Sequence, residues 1–151
     1  MRHCVKNMDL FVDTNVIVDV FMRREPFYGD SSYIWDICAN KKVHGHMASF
    51  AFATILYIMR KQMTPEYAEV LLEDLTNALF IETLYPSDLY KAVRLHWKDF
   101  EDALQFTIAK RIKADFIITR NPADFEDRSI PVLTPTEFVF EFGDGYSLID
   151  S

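Results

Sequence analysis

With 151 residues, half of them hydrophobic and 15% aromatic, the chain is long and apolar enough to form one domain with a substantial core, which excludes a disordered protein. The net charge of −7 excludes a protein that coats nucleic acid through a generally basic surface, so any nucleic-acid contact must be local. Two cysteines, Cys4 and Cys38, exclude a disulfide framework and favour a reducing, cytoplasmic location. We find neither a signal-peptide pattern nor an apolar run that suits a membrane.

Apolar stretches alternate along the chain with patterns typical of helices. Strands are predicted at residues 8–12, 43–48, 80–84, 116–119 and 131–133, and helices at residues 15–22, 28–40, 49–61, 65–78, 86–97, 99–112 and 134–142. Strands that are apolar throughout and alternate with helices indicate an α/β fold, in which a parallel sheet is covered on both faces. We assign residues 8–142 to a single domain, residues 1–7 to an N-terminal extension and residues 143–151 to a C-terminal tail.

Polar side chains follow two of the predicted strands at the points where these strands end. Asp13 and Asn15 follow the first strand, and Thr119, Asn121 and Asp124 follow the fourth. Ligands of open α/β sheets bind outside the carboxyl ends of the strands, so we expect these side chains to lie at one edge of the sheet. A purely structural alternative is open for Asp13, because Asp is a favoured N-cap residue.

Two further acids, Asp99 and Asp102, open the helix that precedes the fourth strand and lie on one face of it. Helix capping and the helix dipole would explain each of them, but not the gathering of acids and amides at one edge. Crowded carboxylates repel one another unless a cation or protons offset their charge. Oxygen ligands suit Mg²⁺ or Mn²⁺ better than Zn²⁺, and such a metal activates water for displacement at phosphorus.

The chain resembles the PIN-domain family over residues 8–139, in four stretches that follow the order of the family. These stretches are Leu-Phe-Val-Asp-Thr-Asn-Val, Asp-Phe-Glu-Asp-Ala-Leu-Gln, Ile-Ile-Thr-Arg-Asn-Pro-Ala-Asp-Phe and Pro-Val-Leu-Thr-Pro-Thr-Glu-Phe. The resemblance implies a three-layer α/β/α sandwich with a central, mostly parallel sheet of four to five strands. It also implies a Mg²⁺- or Mn²⁺-dependent ribonuclease of the VapC toxin type, with RNA as substrate, an antitoxin protein as partner and a homodimer as assembly.

The same resemblance assigns roles to individual residues. Those implied for metal binding and catalysis are Asp13, Asp99 and Asp102, with Asn121 added for catalysis alone. Those implied for positioning the substrate are Asn15, Thr54, Thr119 and Asp124.

Thr54 marks a departure from the family, which usually has an acid in the helix that follows the second strand. The predicted helix at residues 49–61 contains no carboxylate, and Thr54 lies near the matching position. A hydroxyl carries no charge and is a poor metal ligand. One missing charge-assisted contact costs about 1.5–3 kcal/mol, so we expect metal affinity or rate to fall roughly ten- to hundredfold.

Other classes of function fit part of the pattern. A catalytically weak or inactive PIN-like module that binds RNA or a protein partner is favoured by Thr54 and by the net charge of −7. A metal-dependent phosphatase or receiver-like domain is disfavoured, because the residues after Asp13 lack the second acid of an Asp-x-Asp signature. His44 and His46 alternate on a predicted strand and offer a separate metal site, although a plain strand also explains them.

Overall fold

Five strands form the central sheet of the computed structural model, which describes residues 7–143. They are β1 (Asp9–Val12), β2 (His44–Ala48), β3 (Phe80–Glu82), β4 (Phe116–Ile118) and β5 (Val132–Leu133). All neighbouring strands are parallel, and their order in space is β3-β2-β1-β4-β5. Because β1 is paired along both edges and covered on both faces, its apolar residues Leu10, Phe11 and Val12 are buried.

Seven α-helices in the described part of the chain connect and cover these strands. They are α1 (Thr14–Phe21), α2 (Tyr28–Ala39), α3 (Ser49–Met59), α4 (Pro65–Ala78), α5 (Pro86–Leu95), α6 (Phe100–Arg111) and α7 (Pro135–Phe142). Short 3₁₀ helices lie at Arg60–Gln62 and Pro122–Asp124. No helix within residues 7–143 has both the length and the apolar character needed to cross a bilayer.

Two apolar clusters, one on each face of the sheet, make the fold three-layered. Leu10 and Val12 point to one face, where they pack with buried residues of α1 to α4 and with Phe138 of α7. Phe11 points to the opposite face, where it packs with Phe106 and other residues of α6. Helix α5 lies against α6, and their contact buries Ala92. The alternation of side chains along β1 therefore fixes which helices form each outer layer.

Helix ends follow the capping signals of the sequence in most cases. Thr64 caps α4 by accepting a hydrogen bond from the backbone N–H of Tyr67 at 3.2 Å. In α7, Thr134 and Glu137 form a reciprocal capping box. Helix α3 begins at Ser49, as predicted, and Ala48 occupies its N-cap position without a side-chain capping hydrogen bond.

The predicted α/β/α fold and the parallel sheet are confirmed, and the differences lie at the ends of elements. The sheet has five strands, and β3 and β4 are shorter than predicted. Helix α5 ends at Leu95 because His96 adopts a left-handed backbone conformation, with φ of 57°. The predicted N-terminal extension and C-terminal tail, together with Cys4, lie outside the described residues except for residues 7 and 143.

Candidate active site

The candidate site lies at the centre of the sheet, between β1 and β4, where the order of the strands reverses. The connections lead from β1 to β2 and β3 on one side, whereas β4 and β5 lie on the other. Val12 pairs with Ile118, so the residues that follow β1 and β4 emerge side by side. The backbone N–H of Asp13 donates to the carbonyl oxygen of Ile118 at 2.9 Å. Such a topological switch point is where open α/β sheets bind their ligands.

Asp13 lies at the bottom of this edge and is only 6% exposed. The Gln105 side-chain amide donates to Oδ1 of Asp13 at 2.8 Å, and the Thr119 hydroxyl donates to Oδ2 at 2.7 Å. Burial raises the pKa of Asp13, and these two hydrogen bonds act in the opposite direction. The side chain makes no capping hydrogen bond to α1, although Asp13 occupies the N-cap position. The carboxylate is thus held by two side chains from distant segments, and the helix-capping interpretation of its side chain is wrong.

Gln105 is a residue that the sequence analysis missed. It is 1% exposed and lies on α6 in a run of buried residues from Ala103 to Ala109. Among the described residues no hydrogen-bond partner exists for its Oε1 atom. The available signal was a polar side chain in an otherwise apolar run, since a buried amide requires a hydrogen-bond partner.

Three acids at the beginning of α6 line the same cleft as Asp13. Asp99 is the N-cap of α6, and its Oδ1 accepts a hydrogen bond from the backbone N–H of Asp102 at 3.0 Å. Burial, reinforced by the charges of Asp13, Asp99, Asp124 and Glu101, raises the pKa of Asp102 to about 7. Burial and then the charges of Asp13 and Asp99 also raise the pKa of Glu101, which the sequence analysis did not single out. These carboxylates therefore act on one another as a cluster.

Polar groups from the other loops complete the cleft, whose volume is about 330 Å³. Asn15, Thr54, Asn121 and Asp124 line it, as predicted. Thr119 lies beneath them, where its Oγ1 also accepts a hydrogen bond from the backbone N–H of Asn121 at 3.2 Å. The structure therefore brings all eight predicted site residues to one region.

Two arginines, Arg24 and Arg120, also line the cleft. The Nε atom of Arg120 lies 2.6 Å from Oδ2 of Asp19, a fully buried acid on α1, and its guanidinium stacks over the Phe27 ring at 4.3 Å. Burial raises the pKa of Asp19, while the two arginines oppose this effect. Because Arg120 already balances the charge of Asp19, its positive charge does little to neutralise the five carboxylates of the cleft.

The donor atoms of the cleft are those that suit a hard divalent cation. They are carboxylate, amide and hydroxyl oxygens, without a cysteine or histidine among the lining residues. Within residues 7–143, no three His, Cys, Asp or Glu side chains are positioned to hold a metal ion as they stand. Binding an ion therefore requires side-chain rotation, which the acids at the exposed beginning of α6 allow. After burial, the charges of the neighbouring acids raise the pKa of Asp102, and a divalent cation bound among these acids would reduce their repulsion.

His44 and His46 lie away from this cleft on the α6 face of the sheet. The imidazole of His46 bridges two acids, with Nδ1 at 2.7 Å from Glu82 and Nε2 at 2.9 Å from Asp9. His44 Nδ1 lies 3.5 Å from the same Asp9 oxygen. The two histidines do point to the same side, but their nitrogens contact carboxylates in a cluster that joins β1, β2 and β3. This geometry favours the structural role over the alternative of a histidine metal site.

Comparison with known proteins agrees with the motifs. Residues 9–123 match the family described as the PIN domain. The chain is 31% identical over 134 residues to Ribonuclease VapC1 of Aquifex aeolicus, with 85% of this chain and 92% of that protein covered. A toxin-antitoxin complex from Klebsiella pneumoniae has a TM-score of 0.65 at 20% identity, with 83% of this chain and 97% of that chain covered. VapC20 of Mycobacterium tuberculosis, a toxin that cleaves the Sarcin-Ricin loop, has a TM-score of 0.58 at 13% identity. The match covers 72% of this chain and 86% of that chain.

Proposed function

Because the chain belongs to the PIN-domain family, we propose that it is a Mg²⁺- or Mn²⁺-dependent endoribonuclease of the VapC toxin type. The observation that carries this proposal is the cleft in which Asp13, fixed by Gln105 and Thr119, faces the acids of α6. The relative with 31% identity is a ribonuclease, which supports RNA as the substrate.

We infer that Asp13, Asp99 and Asp102 hold the ion. When bound, Mg²⁺ or Mn²⁺ stabilises negative charge at a phosphodiester and activates water to attack it. Gln105 and Thr119 keep the Asp13 carboxylate oriented, so that it does not have to be ordered when the substrate arrives. Asn121 completes the proposed catalytic set, and we assign Asn15, Thr54 and Asp124, which line the cleft, to the positioning of a phosphate or a water.

Arg24 supplies the positive charge that the proposed RNA contact requires in an acidic protein. It lines the cleft beside the acids, and Arg120 is already paired with Asp19. Phosphate contacts of this kind position a substrate without reading its sequence. Single-stranded and structured RNA both remain candidate substrates under this proposal.

The proposed partners are an antitoxin protein and a second copy of the chain. Solved structures with this fold include a toxin-antitoxin complex, and one from Rickettsia felis, VapBC2, is bound to a DNA fragment from its promoter. A small reading frame beside the one that encodes this chain would support the antitoxin partner. The cytoplasmic location stays a prediction from the sequence.

A second candidate function, a catalytically weak or inactive module that binds RNA or a protein, is favoured by one observation. Helix α3 contributes Thr54 to the cleft where the family usually has an acid. This candidate predicts RNA binding or partner binding without cleavage.

Cleavage of labelled single-stranded RNA in millimolar Mn²⁺ distinguishes the two candidates. We expect the wild-type protein to cleave, and Asp13→Asn, verified as folded by circular dichroism, to lose about ten- to hundredfold in rate, as expected when a charged contact is removed. Mn²⁺ should also raise the melting temperature of the wild-type protein, because a ligand of the folded state stabilises that state. An unchanged melting curve together with intact RNA would leave the binding module as the better interpretation.

A further inference from the structure

Helix α3 approaches the cleft without any negative charge. Its residues Ser49–Met59 include no Asp or Glu, and Thr54 of this helix lines the cleft. If this charge were missing altogether, the metal affinity would fall by about one to two orders of magnitude. The same cleft, however, contains a further acid to which the resemblance assigns no role.

Glu101 is that acid, and it lies in the first turn of α6 between Asp99 and Asp102. It lines the cleft together with Thr54 and Asp13. Its carboxyl group is exposed at the cleft rim and makes no hydrogen bond or ion pair with any described residue. Glu101 therefore shares the cleft with Asp13 and Asp99, and no contact with a described residue holds its side chain away from them.

Asp13 and Asp99 are less free to move towards an ion. Both oxygens of Asp13 already accept hydrogen bonds, from Gln105 and Thr119. One oxygen of Asp99 is occupied by the capping hydrogen bond at the beginning of α6. Glu101 combines an unpaired carboxylate with the longest acidic side chain of the cleft. It can therefore turn inward without breaking a contact with any described residue.

An independent feature indicates that the cleft is built for a polar ligand. Thr14, a residue that is only 6% exposed, lines the cleft next to Asp13. Its Oγ1 atom has no hydrogen-bond partner among the residues that the structure describes. A buried hydroxyl without a partner is costly, and a metal-bound water or a phosphate oxygen would satisfy it.

We propose that Glu101 supplies from α6 the negative charge that α3 lacks at Thr54, so that the cleft keeps a full set of carboxylates for one divalent cation. This inference rests on the proposed metal-dependent function. It revises the expectation from the sequence alone, since the absence of an acid at Thr54 then leaves the metal site complete. It also predicts that a charge at residue 54 and a charge at residue 101 can replace each other.

The experiment measures Mn²⁺ affinity without RNA, by electron paramagnetic resonance titration of free Mn²⁺. The variants are Glu101→Gln, Thr54→Glu, the double change, Asp13→Asn as a site control and Glu69→Gln as a charge control on the exposed face of α4. Thr54→Asp replaces Thr54→Glu if the longer side chain disturbs α3. We expect Glu101→Gln to weaken Mn²⁺ binding about ten- to hundredfold and Glu69→Gln to leave it unchanged.

The double variant carries the decisive result. Restoration of the affinity to within about threefold of wild type, a difference of less than 1 kcal/mol, supports the replacement of one charge by the other. If Asp13→Asn weakens binding but Glu101→Gln does not, the inference is wrong and the proposed metal-dependent function stands. If neither change affects binding, the proposed function fails as well. The inference would also be wrong if Glu101→Gln weakened Mn²⁺ binding and the added Thr54→Glu change did not restore the affinity.

Discussion

Neutralising Asp102 should stabilise the protein when no divalent metal is present. Burial and four neighbouring acids raise the pKa of this carboxyl group from 3.8 to about 7. A group whose pKa is higher in the folded state than in the unfolded state opposes folding once it ionises. The penalty is absent below about pH 4, grows as the pH rises towards 7, and is constant above that.

The size of the effect follows from the same pKa values. At 1.36 kcal/mol per pH unit, the rise from 3.8 to about 7 corresponds to about 4 kcal/mol. Solvent screening of this partly exposed side chain and the lost attraction to the amino end of α6 both reduce that figure, and we expect about 1–2 kcal/mol. For a domain of this size, Asp102→Asn should therefore raise the melting temperature by about 2–8 °C at pH 8.

Thermal unfolding followed by circular dichroism in EDTA, from pH 4.5 to pH 8.5, measures this gain. The gain should be largest above pH 7 and small at pH 4.5, where Asp102 of the folded wild-type protein is protonated. Asp74→Asn, at an exposed position on α4, is the matched control and should show no such pH dependence. Millimolar Mn²⁺ should remove the advantage, because the ion stabilises only the wild-type carboxylate cluster. An equal gain at both pH values, or a wild-type protein that is more stable at pH 8, would refute the electrostatic reasoning.

Two further predictions concern the rest of the molecule. Burial raises the pKa of the Cys38 thiol to about 12, so we expect Cys38 to react with iodoacetamide only when the protein unfolds, and peptide mass spectrometry in increasing urea checks this. Alkylation of Cys38 in the native protein at a rate independent of urea would contradict its burial. The predicted homodimer rests on the family resemblance and on the high aromatic content, and we expect twice the monomer mass by light scattering at micromolar concentration. A monomer mass across all accessible concentrations would count against it.

Local patterns were enough to predict the layers of the fold. Continuous apolar runs such as Leu10–Val12 mark strands that are buried on both faces, and Thr64-Pro65 marks a helix start because capping involves neighbours in the chain. The ends of the strands and helices were harder to predict. Strand β3 ends where its pairing with β2 ends, and α5 ends where His96 adopts a left-handed backbone conformation. These limits depend on tertiary contacts and on backbone conformation, to which a hydrophobic pattern is insensitive.

The sequence by itself determined that Asp13, Asp99, Asp102 and Asn121 reach one edge of the sheet. Parallel strands all end at that edge, so Asp13 and Asn121, which follow β1 and β4, meet there, and the helix that leads back into β4 begins at the same edge with Asp99 and Asp102. Only the tertiary structure decided which side chains hold Asp13 and which line the cleft beside it. Gln105 lies 92 residues from Asp13 in the chain, and the two meet only because α6 packs on the sheet beside β1. The orientation of α6 on the sheet also brings Glu101 to the cleft. Contacts of this kind depend on the angle and rotation of a whole helix, which are set by the packing of its buried face.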